Sequence, residues 1–388
     1  MPEKPLEEEI YQQLLVLVGI ALRTAQLKRL CRVIAGIIQA GSLAPAQIAV
    51  GLAASGTSTA QAESQERQVR RYANDPSVTV ECCFHPFARQ HLLLGKAKTL
   101  LLVIDPTTQE DRVVMLMVSL WYRGTALPLA WTLWPGNQPL AGERFWERVA
   151  QLLTVVQQLI PPALTVTFLA DRAFGTPAFT DLVVGHGWHY VVRVQAQTHL
   201  RPRQGAECAV QRLVTKPDAR KKLAAHVFKK HHWRWATLVA YWGKRHKQPL
   251  FLVSSLPPAW ALIQLYKRRF PIEALFRDYK SDGWHFEQAQ VTDLDHLQRL
   301  LIAAAFATWF TLLSGSAFAQ TCLTQPPSGK RRTRPYLAKF SLFAHGLQHL
   351  RRPARRWPLA NALLDFHTHR NWSDQLTFLH RRAFVFSC

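Results

Sequence analysis

Acidic residues are scarce in this chain: 25 Asp plus Glu stand against 48 Lys plus Arg, a formal net charge of +23 over 388 residues. A surplus of that size points to a polyanionic partner, because Lys and Arg displace the counterions condensed on phosphates. A ribosomal protein or one held electrostatically on a membrane surface would share the balance. Cysteine is also sparse. The six residues Cys31, Cys82, Cys83, Cys208, Cys322 and Cys388 show no C-x-x-C spacing, which argues against a zinc site and a disulfide scaffold. They read as reduced thiols of a cytosolic protein, with vicinal Cys82 and Cys83 poorly placed to bridge each other. No apolar run approaches the roughly 20 residues of a membrane helix. Leu14 to Leu22 and Leu300 to Leu313 are too short and read as buried helices. The opening MPEKPLEEEI is acidic where a secretory leader is basic, so export is not expected. No internal repeat is present.

Hydrophobic residues make up 48% of the chain, enough for a globular fold of two or three domains. Within a first domain of residues 1–95, residues 7 to about 95 read as helical, with Gly41 as a stop after Glu7 to Ala40 and Arg67, Arg70 and Arg71 at helical spacing later. That stretch suits a small DNA-binding helical domain, and a solvated surface helix would look the same. From Lys98 the pattern changes to strands. Thr99 to Ile104 is an apolar run ending in Asp105. Arg112 to Tyr122 and Thr125 to Trp134 are strands joined by a tight Arg123-Gly124 hairpin. A helix over Leu140 to Ile160, a strand over Leu164 to Ala170 ending in Asp171, a helix near Pro177 to Val184 and a strand over Trp188 to Val194 follow. This order predicts an α/β fold with a mixed central sheet, ribonuclease-H-like, with a β-rich insertion and a helical domain before it. Residues 96–315 form the α/β unit in this division, interrupted at about 196–248 by a basic, tryptophan-bearing insertion. Residues 316–388 form an irregular basic segment.

Asp105 and Asp171 are informative because a carboxylate at the end of a buried strand must be protonated, paired or neutralised by a metal. Either alone reads more simply as a capping or turn residue. Together, on strands this topology sets side by side, they suit hard divalent cations, for which phosphoryl transfer needs several convergent carboxylates. A third acid lies in ALIQLYKRRFPIEALFRDYK. On one helix, at about 100° per residue, Arg269, Glu273 and Lys280 fall at roughly 300°, 340° and 320° from Tyr266. The stripe offers one ligand with phosphate-seeking neighbours, or the wet face of an ordinary amphipathic helix. Pro271 would kink it just before Glu273. Asp278 and Asp282 point away from this stripe and read as surface ion-pair partners.

The spacing Tyr266-x2-Arg269-x3-Glu273-x6-Lys280 resembles the Y-R-E-K signature of a large group of bacterial insertion-sequence transposases of the DDE type, the IS-four-like group, and it matches at all four positions. Asp171-Arg172-Ala173-Phe174 is similar to that group's Asp-Arg-Gly-Phe segment, with Ala173 replacing glycine. Tyr122-Arg123-Gly124 through Leu127-Pro128-Leu129, and the later GWHFEQAQVTDLDHLQRLL, also resemble it. The likeness covers roughly residues 60–315.

This resemblance implies that Asp105, Asp171 and Glu273 bind two Mg2+ ions, with Mn2+ as a possible substitute. The ions would activate water for strand cleavage and then a 3′ hydroxyl for joining. It implies that Tyr266, Arg269, Lys280 and Arg172 contact phosphates. Trp233, Trp235 and Trp242 of the insertion become candidates for stacking an extruded base, or simply for packing a core. The implied partners are double-stranded DNA, as terminal inverted repeats and target, and a second copy of the chain on paired ends. No membrane is implied, and the expected location is the bacterial cytoplasm with the nucleoid. A nuclease that cleaves without joining, or a DNA-binding protein descended from a transposase, would carry much of the same pattern.

Overall fold

A computed structural model describes residues 4–17, 20–54, 61–140, 142–229, 233–324, 340–352 and 358–368. Five helices come first: α1 (Leu6–Leu15), α2 (Thr24–Ala40), α3 (Pro45–Ala54), α4 (Ala62–Ala73) and α5 (Val80–Leu94). Helix α2 stops where Gly41 takes the left-handed φ of 67°, a conformation glycine adopts without a Cβ clash. The described residues of the run Leu14 to Leu22 do not form a buried helix, contrary to the sequence reading. Helix α1 ends at Leu15, and Leu15 and Val16 are exposed. Its buried positions Leu6, Ile10 and Leu14 keep a four-residue spacing that the unbroken apolar run beyond them cannot continue.

The sheet begins with β1 (Thr99–Gln109), β2 (Val113–Tyr122) and β3 (Thr125–Pro135). Arg123 and Gly124 have φ of 46° and 78°, the paired positive values of a two-residue hairpin whose twist matches its strands. Helix α6 (Glu143–Leu159), β4 (Thr165–Ala170), α7 (Pro177–Gly185) and β5 (His189–Arg193) complete a five-stranded unit. The remaining strands are β6 (His199–Pro202), β7 (Cys208–Ala209), β8 (Arg220–Val227), β9 (Arg234–Tyr241) and β10 (Leu250–Ser254). Among the described residues, ten strands join one sheet in the order β3-β2-β1-β4-β5-β10-β9-β8-β6-β7. Strand β4 runs parallel to β1 and β5, and every other pairing is antiparallel. The first five strands therefore have the ribonuclease-H-like order and directions. The strands of the insertion and β10 lengthen the same sheet beyond β5.

Two expectations about the later helices fail. The segment from Ala261 to Lys280 is not one helix: α8 (Ala261–Lys267) and α9 (Pro271–Arg277) are separate, and a π turn covers Asp278–Asp282. Pro271 has no N–H to return to the preceding turn, and it starts a new helix instead of bending the old one. Where it is described, the chain past Gly315 is not irregular either. Helix α10 (Leu294–Thr324) runs through it, followed by α11 (Leu342–Leu350) and α12 (Leu359–Thr368). The basic stretch Pro326 to Arg334 and residues 353–356 lie outside the described residues. Arg351 is inside them, and its Nε donates to the Ile38 carbonyl at 2.7 Å. It serves one of the carbonyls left unpaired at the end of α2.

Helix α10 is the axis on which the rest assembles. Among the described residues it is the single helix long and apolar enough to cross a membrane, and its apolar stretch is wholly buried in protein. Leu300 to Leu313 lies there as a buried helix, as the sequence suggests. Tyr72 of α4 donates to the Arg299 carbonyl at 2.7 Å, and Arg299 returns a bond to the Ala73 carbonyl at 2.8 Å. Phe87 of α5 packs its ring edge-on to Phe306 and Trp309. The apolar core thus runs without a break from the N-terminal helices to the sheet.

Candidate active site

Strand β1 does not end at Asp105, as the sequence suggests; it continues to Gln109 against β2. What ends there is its other neighbour. The last β1–β4 pair is Ile104 with Ala170, and the last β4–β5 pair is Ala170 with Val192. Asp105, Asp171 and Arg193 are each the next residue on adjacent strands about 4.8 Å apart. Pro106, with no N–H to give a ladder, falls where β1 has lost one partner. Asp171 leaves the sheet as the cap of a short 3-10 turn, its Oδ1 accepting from the Ala173 amide at 2.8 Å. The turn reading and the converging-acid reading of Asp171 therefore describe the same residue.

The third acid arrives from α9, which packs on β1 and β3. Between Glu273 and Asp105 stands Arg269, carried by the break before Pro271. Its Nη1 donates to Asp105 Oδ2 at 3.0 Å and its Nη2 to Glu273 Oε1 at 2.5 Å. Arg269 is almost fully buried, its Cζ lying 5.2 Å from the centre of the Phe270 ring. The Asp105 side chain is 15% exposed and that of Glu273 48%, so the cluster opens to solvent on the Glu273 side.

Burial pushes the Asp105 carboxyl up to about 7; Arg269 pulls it down, while Asp171 and Glu273 push it further up. Asp171 and Glu273 thus both stand within Coulombic reach of Asp105. Burial also raises the Tyr266 hydroxyl, against Arg269 and Arg193, which favour its ionised form. Arg269 is held above its ordinary value: burial opposes its charge, and Tyr266, Asp105 and Glu273 more than compensate. The donor set is all hard oxygen, which fits a divalent cation of the magnesium type. Among the described residues, however, no three Asp, Glu, His or Cys side chains stand close enough to hold a metal as they are. Arg269 is the cation that lies between two of them.

The other sequence candidates separate into three places. Tyr266 is buried with Arg269 instead of facing outward along a common stripe, because the stripe is split between α8 and α9. Lys280 lies in the π turn, 3.9 Å from Glu287. Asp278, expected on the surface, is buried, and burial pushes its carboxyl up to about 8; Asp282 pairs with Arg277 as expected. Exposed Arg172 and half-buried Trp242 line one cavity of about 490 Å3 with Arg193 and Arg212. Trp233 and Trp235 lie elsewhere, stacked under Arg201 and Arg203 at 4.9 and 4.8 Å. Arg193 and Arg212 were not among the sequence candidates. Arg193 carried the same signal as the two acids, a polar residue closing an apolar strand.

Residues 148–310 match the family model described as a transposase DDE domain; the matched span contains Asp171 and Glu273 and begins after Asp105. No curated protein matches the chain. A solved structure, that of a piggyBac transposase synaptic complex with hairpin DNA, aligns over 99% of this chain and 88% of its own, with 12% identity and a TM-score of 0.42.

Proposed function

We infer from the transposase DDE domain of residues 148–310 that this chain is a DNA transposase, an enzyme that cleaves DNA strands and joins them to a target. The observation that carries the reading is the approach of Asp105 on β1 and Glu273 on α9 to one buried arginine, with Asp171 at the end of neighbouring β4. A DNA-binding module has no use for an acid buried at such electrostatic cost beside two others. We assign these three as metal ligands and catalytic residues, with two Mg2+ as the natural ions and Mn2+ as a substitute. Such ions, when bound, make water or a 3′ hydroxyl nucleophilic and offset charge at the phosphate.

The chain's own groups supply position. Asp105 and Asp171 are fixed by the sheet, and α9 brings Glu273 to the solvent side, where a phosphate can approach. Lys280 and Arg172 are assigned to DNA phosphates; so is Arg269 once it leaves its acids, with Tyr266 beside it. Of the three insertion tryptophans, Trp242 is favoured for stacking an extruded base, because its cavity also presents Arg172 and Arg212. Trp233 and Trp235 would instead contact the DNA backbone beside Arg201 and Arg203. The complete Tyr266, Arg269, Glu273, Lys280 spacing supports membership of the IS-four-like group. That assignment carries with it a homodimer on paired terminal repeats in the bacterial cytoplasm. We divide the chain into a DNA-binding unit (1–95), a catalytic unit (96–315) with its insertion at 196–248, and a basic terminal segment (316–388).

The test uses the full chain, Mg2+, a duplex bearing the inverted repeats that flank its coding region, and a target plasmid. Native protein should cut at the repeat and join the freed 3′ end to the plasmid. Asp105→Asn, Asp171→Asn and Glu273→Gln should each reduce both steps to background while retaining DNA binding. Cutting without joining would make the chain a nuclease, and undiminished activity in the variants would remove the three acids from the site.

A further inference from the structure

Arg269 spans two carboxylates that come from different elements, using one nitrogen of its fork for each. Its Nε is buried and makes no hydrogen bond among the described residues, so the two acids and the adjoining Tyr266 hydroxyl hold the guanidinium in place. The Phe270 ring closes one side, and the opening lies toward half-exposed Glu273. A divalent cation held by Asp105 and Glu273 would draw on the same two carboxylates, of which Arg269 engages one oxygen each. Beside the guanidinium it meets a like charge, so the two cations compete for one pair of anions.

We propose that Arg269 is a built-in competitor for metal: in the DNA-free chain it occupies the oxygens of Asp105 and Glu273, and a DNA phosphate releases it. The inference rests on the reading of these acids as metal ligands. A guanidinium exchanges a carboxylate for a phosphate with its planar fork intact, so a phosphate arriving on the Glu273 side offers Arg269 an equivalent partner. Once Arg269 turns to that phosphate, Asp105 and Glu273 have lost their cation and attract a metal more strongly. By linkage, DNA then tightens metal binding and metal tightens DNA binding by the same factor. The chain would thus load metal mainly where DNA is already seated, which limits stray cleavage.

The experiment is a Mn2+ titration of the full chain, reading free Mn2+ by electron paramagnetic resonance, with and without a random-sequence duplex at low salt. Without DNA, Arg269→Gln should bind Mn2+ about tenfold more tightly than native protein, within the range by which linked sites usually affect each other. The duplex should tighten Mn2+ binding to native protein and leave the variant unchanged. Arg269→Lys, which keeps the charge and loses the fork, should fall between them, and it carries the test if the glutamine variant does not fold. If both variants bind Mn2+ no more tightly than native protein while Asp105→Asn has lost binding, the competitor role is overturned and the acids stand as ligands. If Asp105→Asn binds Mn2+ like native protein, the ligand assignment itself falls, and the competitor role with it.

Discussion

Arg123 donates to Asp365 across 2.7 Å, from a side chain that is 2% exposed. The two residues tie the β2–β3 hairpin to α12, far along the chain. Arg123 also reaches the Ser316 hydroxyl at 2.8 Å, and Phe366 packs against Tyr122 and Trp309. The arginine of the Tyr-Arg-Gly segment is thus an internal anchor, and the C-terminal helix is its counterpart.

Removing one partner of so buried a pair strands the other. Asp365→Ala should lower unfolding free energy by about 3 kcal/mol, read as a shift in the urea midpoint. The double change Arg123→Met with Asp365→Leu should recover much of the loss. An Asp365→Ala midpoint equal to native would show that the pair carries no net stability.

A pH dependence follows from the next residue of α12. His367 Nε2 lies 2.7 Å from His91 Nδ1, against Trp309. Burial, and then the neighbouring His367, lower His91 from 6.5 to about 3, and burial lowers His367 as well. Between those values the unfolded chain takes a proton that the folded chain refuses. Stability is therefore full above pH 6.5 and falls as pH drops toward 3, by up to about 1.4 kcal/mol per unit for His91. Urea midpoints at pH 7 and pH 5 should show the fall, and His91→Phe should flatten it. An equal slope in that variant would place the proton uptake elsewhere.

Helices α10 and α11 cross at glycines. A Cβ on Gly346 would stand 1.8 Å from the Thr311 carbonyl oxygen, and one on Gly315 would stand 1.9 Å from that of Leu342. Both obstacles are backbone, so the helices must separate to admit a methyl group. Gly346→Ala should cost about 2–3 kcal/mol, measured by chemical denaturation. A cost within experimental error would mean that the crossing relaxes freely.

Cations that face DNA should differ from cations that hold the fold. Arg172→Gln and Lys280→Gln should each lower the slope of log affinity against log salt by about 0.9 on duplex DNA, with unfolding unchanged. Arg351→Gln, which loses its bond to Ile38, should lower stability and leave that slope alone. Identical slopes in native protein and both DNA-facing variants would take Arg172 and Lys280 off the phosphate path.

Local pattern was enough for the first five strands, the Arg123-Gly124 hairpin, the Gly41 stop and the place of the two aspartates after apolar runs, because each depends on residues a few positions apart. A two-residue turn needs positive φ, and a buried strand needs an apolar run; both are written locally. Asp105 and Asp171 were legible as a pair because an acid closing such a run is conspicuous. The tertiary structure decided what those residues meet. It carried β1 past Asp105 because β2 continues beside it after β4 has turned away. It split the helix bearing Tyr266 and Glu273 at Pro271, and in the gap set Arg269 between the acids. It gathered α11 and α12 from a stretch that looked irregular, since short helices are stabilised by the surfaces they cover and not by their own sequence. Periodicity shows which face of an element is apolar; only packing selects the neighbour against which that face, or a charge beside it, comes to rest.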